Sequence, residues 1–239
     1  MSHPGELSGS SLMRLPGLGC CNRGMHVGEQ VLVSISRQLG RPAGIRGRIV
    51  GRVVNRRNRE PIAAAVEAAG IRAGQVVADV GFGGGVGLGL LLDRVGQSGM
   101  VHGFEISTTM IDGAQRRFRR EVQTRRLSLT AAPMEALPVP DASIDALIST
   151  NTIYFIDDVF AAFSELNRIL AGNGCAVLGI ADPDALRAMP FTQYGFHVRE
   201  FDAIVDELQR AGLHVEERIR AGSVDFPYWL LVARKSGVR

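Results

Sequence analysis

A glycine-rich turn between residues 75 and 86 constrains the fold of this chain more than any other stretch. A β-branched run over residues 76–80 comes first and is typical of a strand buried on both faces. Glycines at positions 81, 83, 84 and 85 follow, and an apolar helical pattern then runs from Val86 to Val95. So many glycines raise the conformational entropy that folding must overcome, which makes a plain turn the weaker interpretation. A strand, a glycine turn and a helix N-terminus instead aim backbone N–H groups at a ligand such as a nucleotide.

The residues around these glycines narrow the class of ligand. The dinucleotide fingerprint G-x-G-x-x-G is only partly met, because Gly81 and Gly83 fit it while Val86 stands at the third glycine. Asp79 lies inside the preceding strand, two residues before the first glycine. This Asp-x-Gly-x-Gly order resembles the first motif of the class I S-adenosylmethionine-dependent methyltransferases.

Composition and charge are those of a protein with one sizeable α/β domain. The 239 residues suffice for such a domain and a small appendage. No apolar run is long enough for a transmembrane helix, and the first residues lack the apolar core of a signal peptide, so we expect a cytoplasmic location. The three cysteines lack metal-ligand spacing, and no metal site is predicted.

The chain before residue 59 differs from the rest. Residues 1–27 contain Gly, Ser and Pro with little periodicity and are predicted to be disordered. Residues 28–58 carry helical patterns and are predicted to form a helical cover over the main domain, residues 59–239. Eight arginines lie between Arg37 and Arg59. They form either a solvated helix face or a surface for anionic partners such as lipid head groups, phosphorylated substrates or RNA.

From residue 76 onward, short apolar strands alternate with helical patterns. Strands are predicted over residues 76–80, 100–105, 127–131, 144–149, 175–180, 215–219 and 229–233. Helices are predicted over residues 86–95, 108–122, 158–170 and 201–211, with Ser107 and either Asp157 or Asp158 as caps and a turn over residues 172–174. This alternation predicts an α/β, Rossmann-like doubly wound fold, with a mostly parallel seven-stranded sheet, helices on both faces and an antiparallel C-terminal strand. In such sheets the ligand crevice lies at the carboxyl ends of the strands, where the strand order reverses.

Four stretches resemble, in order, motifs of the ubiquinone/menaquinone-biosynthesis (type 11) group of class I methyltransferases. They are residues 77–85, the glycine motif; 101–107, an acid ending strand two; 134–145, the segment joining strands three and four; and 166–174, the turn before strand five. The resemblance covers about residues 59–182. One departure is Pro133, which stands where this group often carries an acid. The adenine amino group would then be met by Glu135, by backbone or by water.

The resemblance implies that S-adenosylmethionine is the cofactor and that S-adenosylhomocysteine is the product. It implies that the glycine backbone follows the methionine part, and that Asp79 steadies the loop or the ligand's ammonium group. It also implies that Glu105 accepts hydrogen bonds from both ribose hydroxyls and that adenine lies between Ile106 and Met134. The full set of cofactor residues implied is Asp79, Gly81, Phe82, Gly83, Gly85, Glu105, Ile106, Met134, Glu135, Asn151 and Thr152.

The chemistry of methyl transfer makes few demands on catalytic side chains. A sulfonium methyl is already a good electrophile, so the protein mainly aligns an acceptor and excludes water. A general base is optional, and the candidates are Tyr154, His197 and Glu135. Residues 151–154 lack the prolines of the Asn-Pro-Pro-Tyr motif of amino-methylating DNA enzymes, so no DNA substrate is expected.

The acceptor is expected to be a small hydrophobic or lipid-like molecule that is methylated at oxygen or carbon. This expectation comes from apolar residues in two segments outside the core repeats, residues 29–58 and 183–199, which we predict to close over the site. Contact with RNA or a membrane surface through the arginines between Arg37 and Arg59 stays open, and so does a homodimer. Two other functions also stay open. One is an NAD(P)-dependent Rossmann oxidoreductase, against which Val86 and Asp79 count, and the other is a non-catalytic S-adenosylmethionine-binding protein.

Overall fold

The computed structural model of this chain describes residues 30, 32–34, 36, 40, 58–222 and 227–235. Within them lies one seven-stranded sheet made of β1 (Val76–Val80), β2 (Met100–Glu105), β3 (Leu127–Ala131), β4 (Ile144–Thr150), β5 (Leu170–Ala181), β6 (Leu213–Gly222) and β7 (Pro227–Lys235). The spatial order is β3-β2-β1-β4-β5-β7-β6. Strands β1 to β5 pair in parallel, whereas β7 runs antiparallel to both β5 and β6. The predicted Rossmann-like sheet with an antiparallel C-terminal strand is confirmed.

Helices connect these strands and pack around the sheet. They are α1 (residues 58–68), α2 (Val86–Val95), α3 (Thr108–Arg117), α4 (Arg119–Gln123), α5 (Val159–Ile169), α6 (Pro183–Arg187), α7 (Phe201–Arg210) and a 3-10 helix (Ile153–Phe155). Two predicted caps are confirmed, because the side chains of Ser107 and Asp158 accept hydrogen bonds from the first turns of α3 and α5. In the part of the chain that the structure describes, no helix is long and apolar enough to cross a membrane. The predicted tail over residues 1–27 and most of the predicted cover over 28–58 lie outside the described residues.

The order of the strands places one crevice in the molecule. Strand β1 pairs with β2 on one side and with β4 on the other. Successive strands are therefore added toward one edge of the sheet up to β3 and toward the opposite edge from β4 onward, so the strand order reverses between β1 and β4. Both strands are apolar and largely buried on both faces, which fixes them in the centre of the core. Their carboxyl ends, at Val80 and Thr150, therefore lie side by side where an α/β sheet binds its ligand.

Two predicted elements differ from those observed. The helix predicted over residues 108–122 is interrupted at Phe118, whose buried ring packs beneath the glycine turn at Gly85. Strand β5 begins at Leu170 rather than at Cys175, because Leu170 already pairs with Ile144 before the register shifts. The turn predicted over residues 172–174 is thus an irregularity within β5.

Candidate functional site

A cavity of about 240 Å³ opens at the carboxyl ends of β1 and β4. Nine predicted cofactor residues line it, namely Gly81, Phe82, Gly83, Glu105, Ile106, Met134, Glu135, Asn151 and Thr152. The two others, Asp79 and Gly85, are not among the lining residues. The remaining wall is formed by Gly40, Asn58, Ile62, Val80, Gly84, Ala132, Pro133, Thr150, Phe155 and Ile156.

The glycine turn requires glycine at two positions for different reasons. Gly81 has a φ of +75°, and a Cβ there would lie 2.4 Å from Thr152 Oγ1, so only glycine lets β1 and the end of β4 approach this closely. Gly83 has a φ of +49°, and a Cβ there would meet no atom within 4 Å. Because Gly83 lines the cavity, that side-chain space is part of the space available to a ligand.

Glu105 ties the end of β2 to the glycine turn. Its Oε2 accepts a hydrogen bond from the N–H of Gly83 at 2.9 Å. Its Oε1 accepts from the N–H groups of Ile106 and Ser107 at 2.9 and 3.0 Å. A carboxylate offers about four acceptor positions, so Oε2 keeps the capacity for a further donor from the cavity. The carboxylate is therefore fixed in orientation and still able to bind a hydroxyl.

Asp79 lies beneath the turn rather than in the cavity. Its side chain is buried, and a Cβ at Gly87 would come within 2.2 Å of its Oδ2, which places the carboxyl against the first turn of α2. Burial, and then the nearby charge of Glu105, raise the pKa of Asp79 to about 8. The carboxyl is thus protonated near neutral pH in the folded chain.

Two apolar side chains that follow neighbouring strands, Ile106 and Met134, line the cavity. Ile106, just after β2, is 40% exposed although it is a large hydrophobic residue, whereas Met134, between β3 and β4, is only 4% exposed. A flat apolar group between them would cover the exposed surface of Ile106.

Part of the cavity wall is apolar, and sequence reasoning did not identify it. Phe155 ends the 3-10 helix after β4, Ile156 directly follows it, and Ile62 comes from α1. The ring of Phe155 packs on that of Phe196, with 4.6 Å between the centroids. A Cβ at Gly40 would lie 2.7 Å from the Phe155 ring, so the N-terminal segment reaches this wall. The available signal was the apolar run that directly follows the predicted strand.

Two of the three candidate bases lie outside the cavity wall. Tyr154 is buried, its hydroxyl oxygen accepts a hydrogen bond from the N–H of Ala181 at 2.6 Å, and burial raises its pKa further above the ordinary value. His197 lies 2.9 Å from Asp157 through Nε2. Neither residue lines the cavity, whereas Glu135 does. The described residues also contain no group of three or more side chains that would hold a metal ion.

Comparison with known proteins agrees with this geometry. Residues 78–178 match the type 11 family described as "Methyltransferase domain". A 2-phytyl-1,4-naphtoquinone methyltransferase from Trichormus variabilis is 27% identical over 166 residues, which cover 68% of this chain and 70% of that protein. The biotin biosynthesis bifunctional protein BioHC of Teredinibacter turnerae is 28% identical over 153 residues, 59% of this chain and 27% of that protein. A methyltransferase structure from Aquifex aeolicus has the same fold, with a TM-score of 0.64 at 17% identity over 84% of this chain and 97% of that one.

The sheet order and the family match together identify a class I S-adenosylmethionine-dependent methyltransferase. Within that class, residues 78–178 match the type 11 methyltransferase family, and S-adenosylmethionine is the cofactor. The resemblance predicted from four motifs is confirmed. The predicted class of enzyme, a methyltransferase, is also confirmed at the level of the domain. The family match is to a methyltransferase domain and not to the oxidoreductase alternative. The chain spans between 27% and 51% of the length of the first curated relatives that it matches.

Proposed function

We propose that this protein transfers a methyl group from S-adenosylmethionine to a small hydrophobic or lipid-like acceptor, at oxygen or carbon. The observation that carries the proposal is the composition of one cavity. Its wall combines the glycine turn and Glu105 with the apolar side chains of Ile62, Phe155 and Ile156, which we assign to opposite ends of the bound substrates. A polar end for a nucleoside and an apolar end for an acceptor are what such a transfer requires.

The residues present fit the cofactor. The open side-chain space at Gly83 leaves room for the methionine part beside the backbone of the turn. Glu105 would bind the ribose hydroxyls through the remaining capacity of its oriented carboxylate. Ile106 and Met134 would enclose adenine, with Phe82, Glu135, Asn151 and Thr152 completing the wall. The buried positions of Asp79 and Gly85 favour a role in supporting the turn.

When bound, the cofactor supplies a methyl group on a positively charged sulfur. The side chains of the apolar end would hold the acceptor in line with that methyl and exclude water, and these two effects account for most of the rate enhancement required. Glu135 is the candidate base that reaches the cavity, and it would accept a proton from an acceptor hydroxyl.

The acceptor end is also where the predicted cover would close. The hydroxyl of Ser36 donates a hydrogen bond to the carbonyl oxygen of Tyr194, which joins the two segments predicted to cover the site. Phe191 and Phe196 of the second segment form an aromatic cluster with Phe155. These contacts favour an aromatic or lipid-like acceptor, as does the similarity to a phytyl-naphthoquinone methyltransferase. The arginines between Arg37 and Arg59 would serve an anionic head group, and RNA or a membrane surface is their rival partner.

S-adenosylhomocysteine is expected to raise the melting temperature of the protein, whereas NAD is expected to leave it unchanged. Only a ligand of the native state stabilises it by mass action, with about 2.7 kcal/mol gained at a hundredfold excess over Kd. Differential scanning fluorimetry with each ligand, followed by isothermal titration, measures this directly. A folded sample that shows no saturable heat with S-adenosylhomocysteine or S-adenosylmethionine would contradict the proposal.

Phe155→Ala is expected to raise the KM for a lipid-like acceptor about tenfold and to leave the Kd for S-adenosylhomocysteine unchanged, because the ring belongs to the acceptor end. The probe is a phytylated naphthoquinol, assayed by transfer of labelled methyl from S-adenosylmethionine. Phe160→Ala is the matched control, since Phe160 is 40% exposed on α5 and does not line the cavity. Labelling of RNA instead, with a steep loss at higher salt, would assign the arginines to a phosphate-bearing substrate.

A further inference from the structure

A single arginine near the C-terminal end of α5, Arg168, is hydrogen-bonded through all five of its N–H donors. Its Nε donates to Glu165 Oε2 at 2.7 Å. One terminal nitrogen donates to Val139 O at 2.9 Å and to Asp141 Oδ1 at 2.6 Å. The other donates to Leu137 O at 2.9 Å and to Glu165 Oε1 at 2.8 Å. We call this network, with the backbone of Leu137 and Val139, the Arg168 clamp.

The backbone held by the Arg168 clamp continues directly into the wall of the cavity. Leu137 is bound on both sides, because its N–H also donates to Glu165 Oε1 at 2.6 Å. Met134 lies three residues before Leu137. The turn that contains it is closed by a hydrogen bond of 3.2 Å from the N–H of Ala136 to the carbonyl oxygen of Pro133. This stretch between β3 and β4 is neither helix nor strand. The clamp therefore fixes the backbone of this stretch to α5 at Leu137 and Val139.

The position of this segment matters because of Pro133. Pro133 and Met134 line the cavity and carry no polar side chain, so hydrogen bonds from these two positions to the edge of a bound adenine would come from their backbone groups. Backbone hydrogen bonds weaken steeply when their distance or angle changes. We propose that Arg168 is a positioning residue for cofactor recognition, which holds the Pro133–Ala136 turn where its backbone reads the base. This inference rests on the proposed function, because it requires an S-adenosyl ligand in the cavity.

The chemistry of the clamp calls for arginine rather than any cation. A guanidinium presents five donors in a planar fork, and this network uses every one of them. A lysine ammonium has only three donors from one point and would leave at least two of the five acceptors without this partner. The hydrogen bond from Arg168 is also the main reason that the pKa of Glu165 is lowered, so the pair remains charged.

Arg168→Lys tests the proposal with two ligands that differ only in the base. S-adenosylhomocysteine carries an exocyclic amino group, and S-inosylhomocysteine carries an oxygen in its place. The wild-type protein is expected to prefer the adenine ligand. Arg168→Lys is expected to weaken S-adenosylhomocysteine binding about tenfold and S-inosylhomocysteine binding much less, so that the preference shrinks. A merely structural role would weaken both ligands equally and leave the preference unchanged.

Two further variants make the test decisive. Arg210→Lys is the matched control, because Arg210 on α7 forms an ion pair with Glu207 at 2.7 Å and does not line the cavity, and it should bind both ligands as the wild type does. If Arg168→Lys does not fold, Asp141→Ala decides, since it removes the exposed carboxylate that accepts one of the five bonds from Arg168 and should reduce the preference to a smaller extent. An unchanged preference in the folded variants, or none in the wild type, overturns the proposal. Failure of the wild type to bind S-adenosylhomocysteine at all would instead contradict the proposed function.

Discussion

Gly83→Val is expected to lower the affinity for S-adenosylhomocysteine by about a hundredfold, which corresponds to ~2.7 kcal/mol. A Cβ at Gly83 meets no protein atom within 4 Å because it would project into open space of the cavity. Two further methyl groups would then occupy space that the methionine part of the ligand needs. The φ of +49° adds backbone strain, and a displaced Gly83 would also lose its hydrogen bond to Glu105 Oε2. Isothermal titration of the folded variant measures the loss.

Gly70→Val separates the effect of strain from the effect of lost space. Gly70 has a φ of +60°, and a Cβ there also meets no atom within 4 Å, but Gly70 does not line the cavity. This variant should lose about 1–2 kcal/mol of stability and bind S-adenosylhomocysteine normally.

Glu105→Ala, which removes the oriented carboxylate, should weaken binding by about 1–3 kcal/mol. If Gly83→Val and Glu105→Ala both fold and bind as the wild type does, the cofactor lies elsewhere.

The parts of the fold that were predictable are those in which local pattern and packing agree. The strand over residues 76–80, the helix over 86–95 and the strand over 127–131 have the predicted bounds, because their apolar runs end at turns that the sequence also marks. The break at Phe118 was not predictable, since the helical pattern continues through it. A tertiary contact decides there, because the ring packs under Gly85 and the helix must pause to place it.

The polar end of the site was predictable, but the apolar end was not. Glu105, Ile106 and Met134 lie in ordered motifs whose neighbours along the chain identify them. Ile62 lies far along the sequence from Phe155, and only the fold brings both residues to one cavity. An isolated isoleucine on a helix has the same signature whether it faces the core or an acceptor. The five bonds of Arg168 are equally invisible in sequence, because arginine on a helix is most often solvated.

Asp79→Asn is expected to flatten the dependence of protein stability on pH. The unfolded chain loses the Asp79 proton near pH 3.8, whereas the folded chain keeps it until about pH 8. Between these values the native state binds one proton more than the unfolded state. The free energy of unfolding therefore falls as pH rises, by at most about 1.4 kcal/mol per pH unit, and levels off above pH 8. Asparagine has nearly the same shape and cannot ionise, so the variant should lose this slope and be the more stable protein at alkaline pH.

Urea unfolding at several values between about pH 5 and pH 8 measures the difference in slope between wild type and Asp79→Asn. Trp229, the only tryptophan in the chain, reports unfolding because its ring packs edge-on against Phe201, with 5.7 Å between centroids. Glu105→Gln removes the second cause of the shift, so it should lower the pKa of Asp79 and move the end of the slope to lower pH. Parallel pH profiles for wild type and Asp79→Asn would contradict the effect of burial. A carboxyl that kept its ordinary pKa beneath the turn would then be ionised there, and its negative charge would have to be balanced by the helix terminus of α2 rather than avoided by protonation.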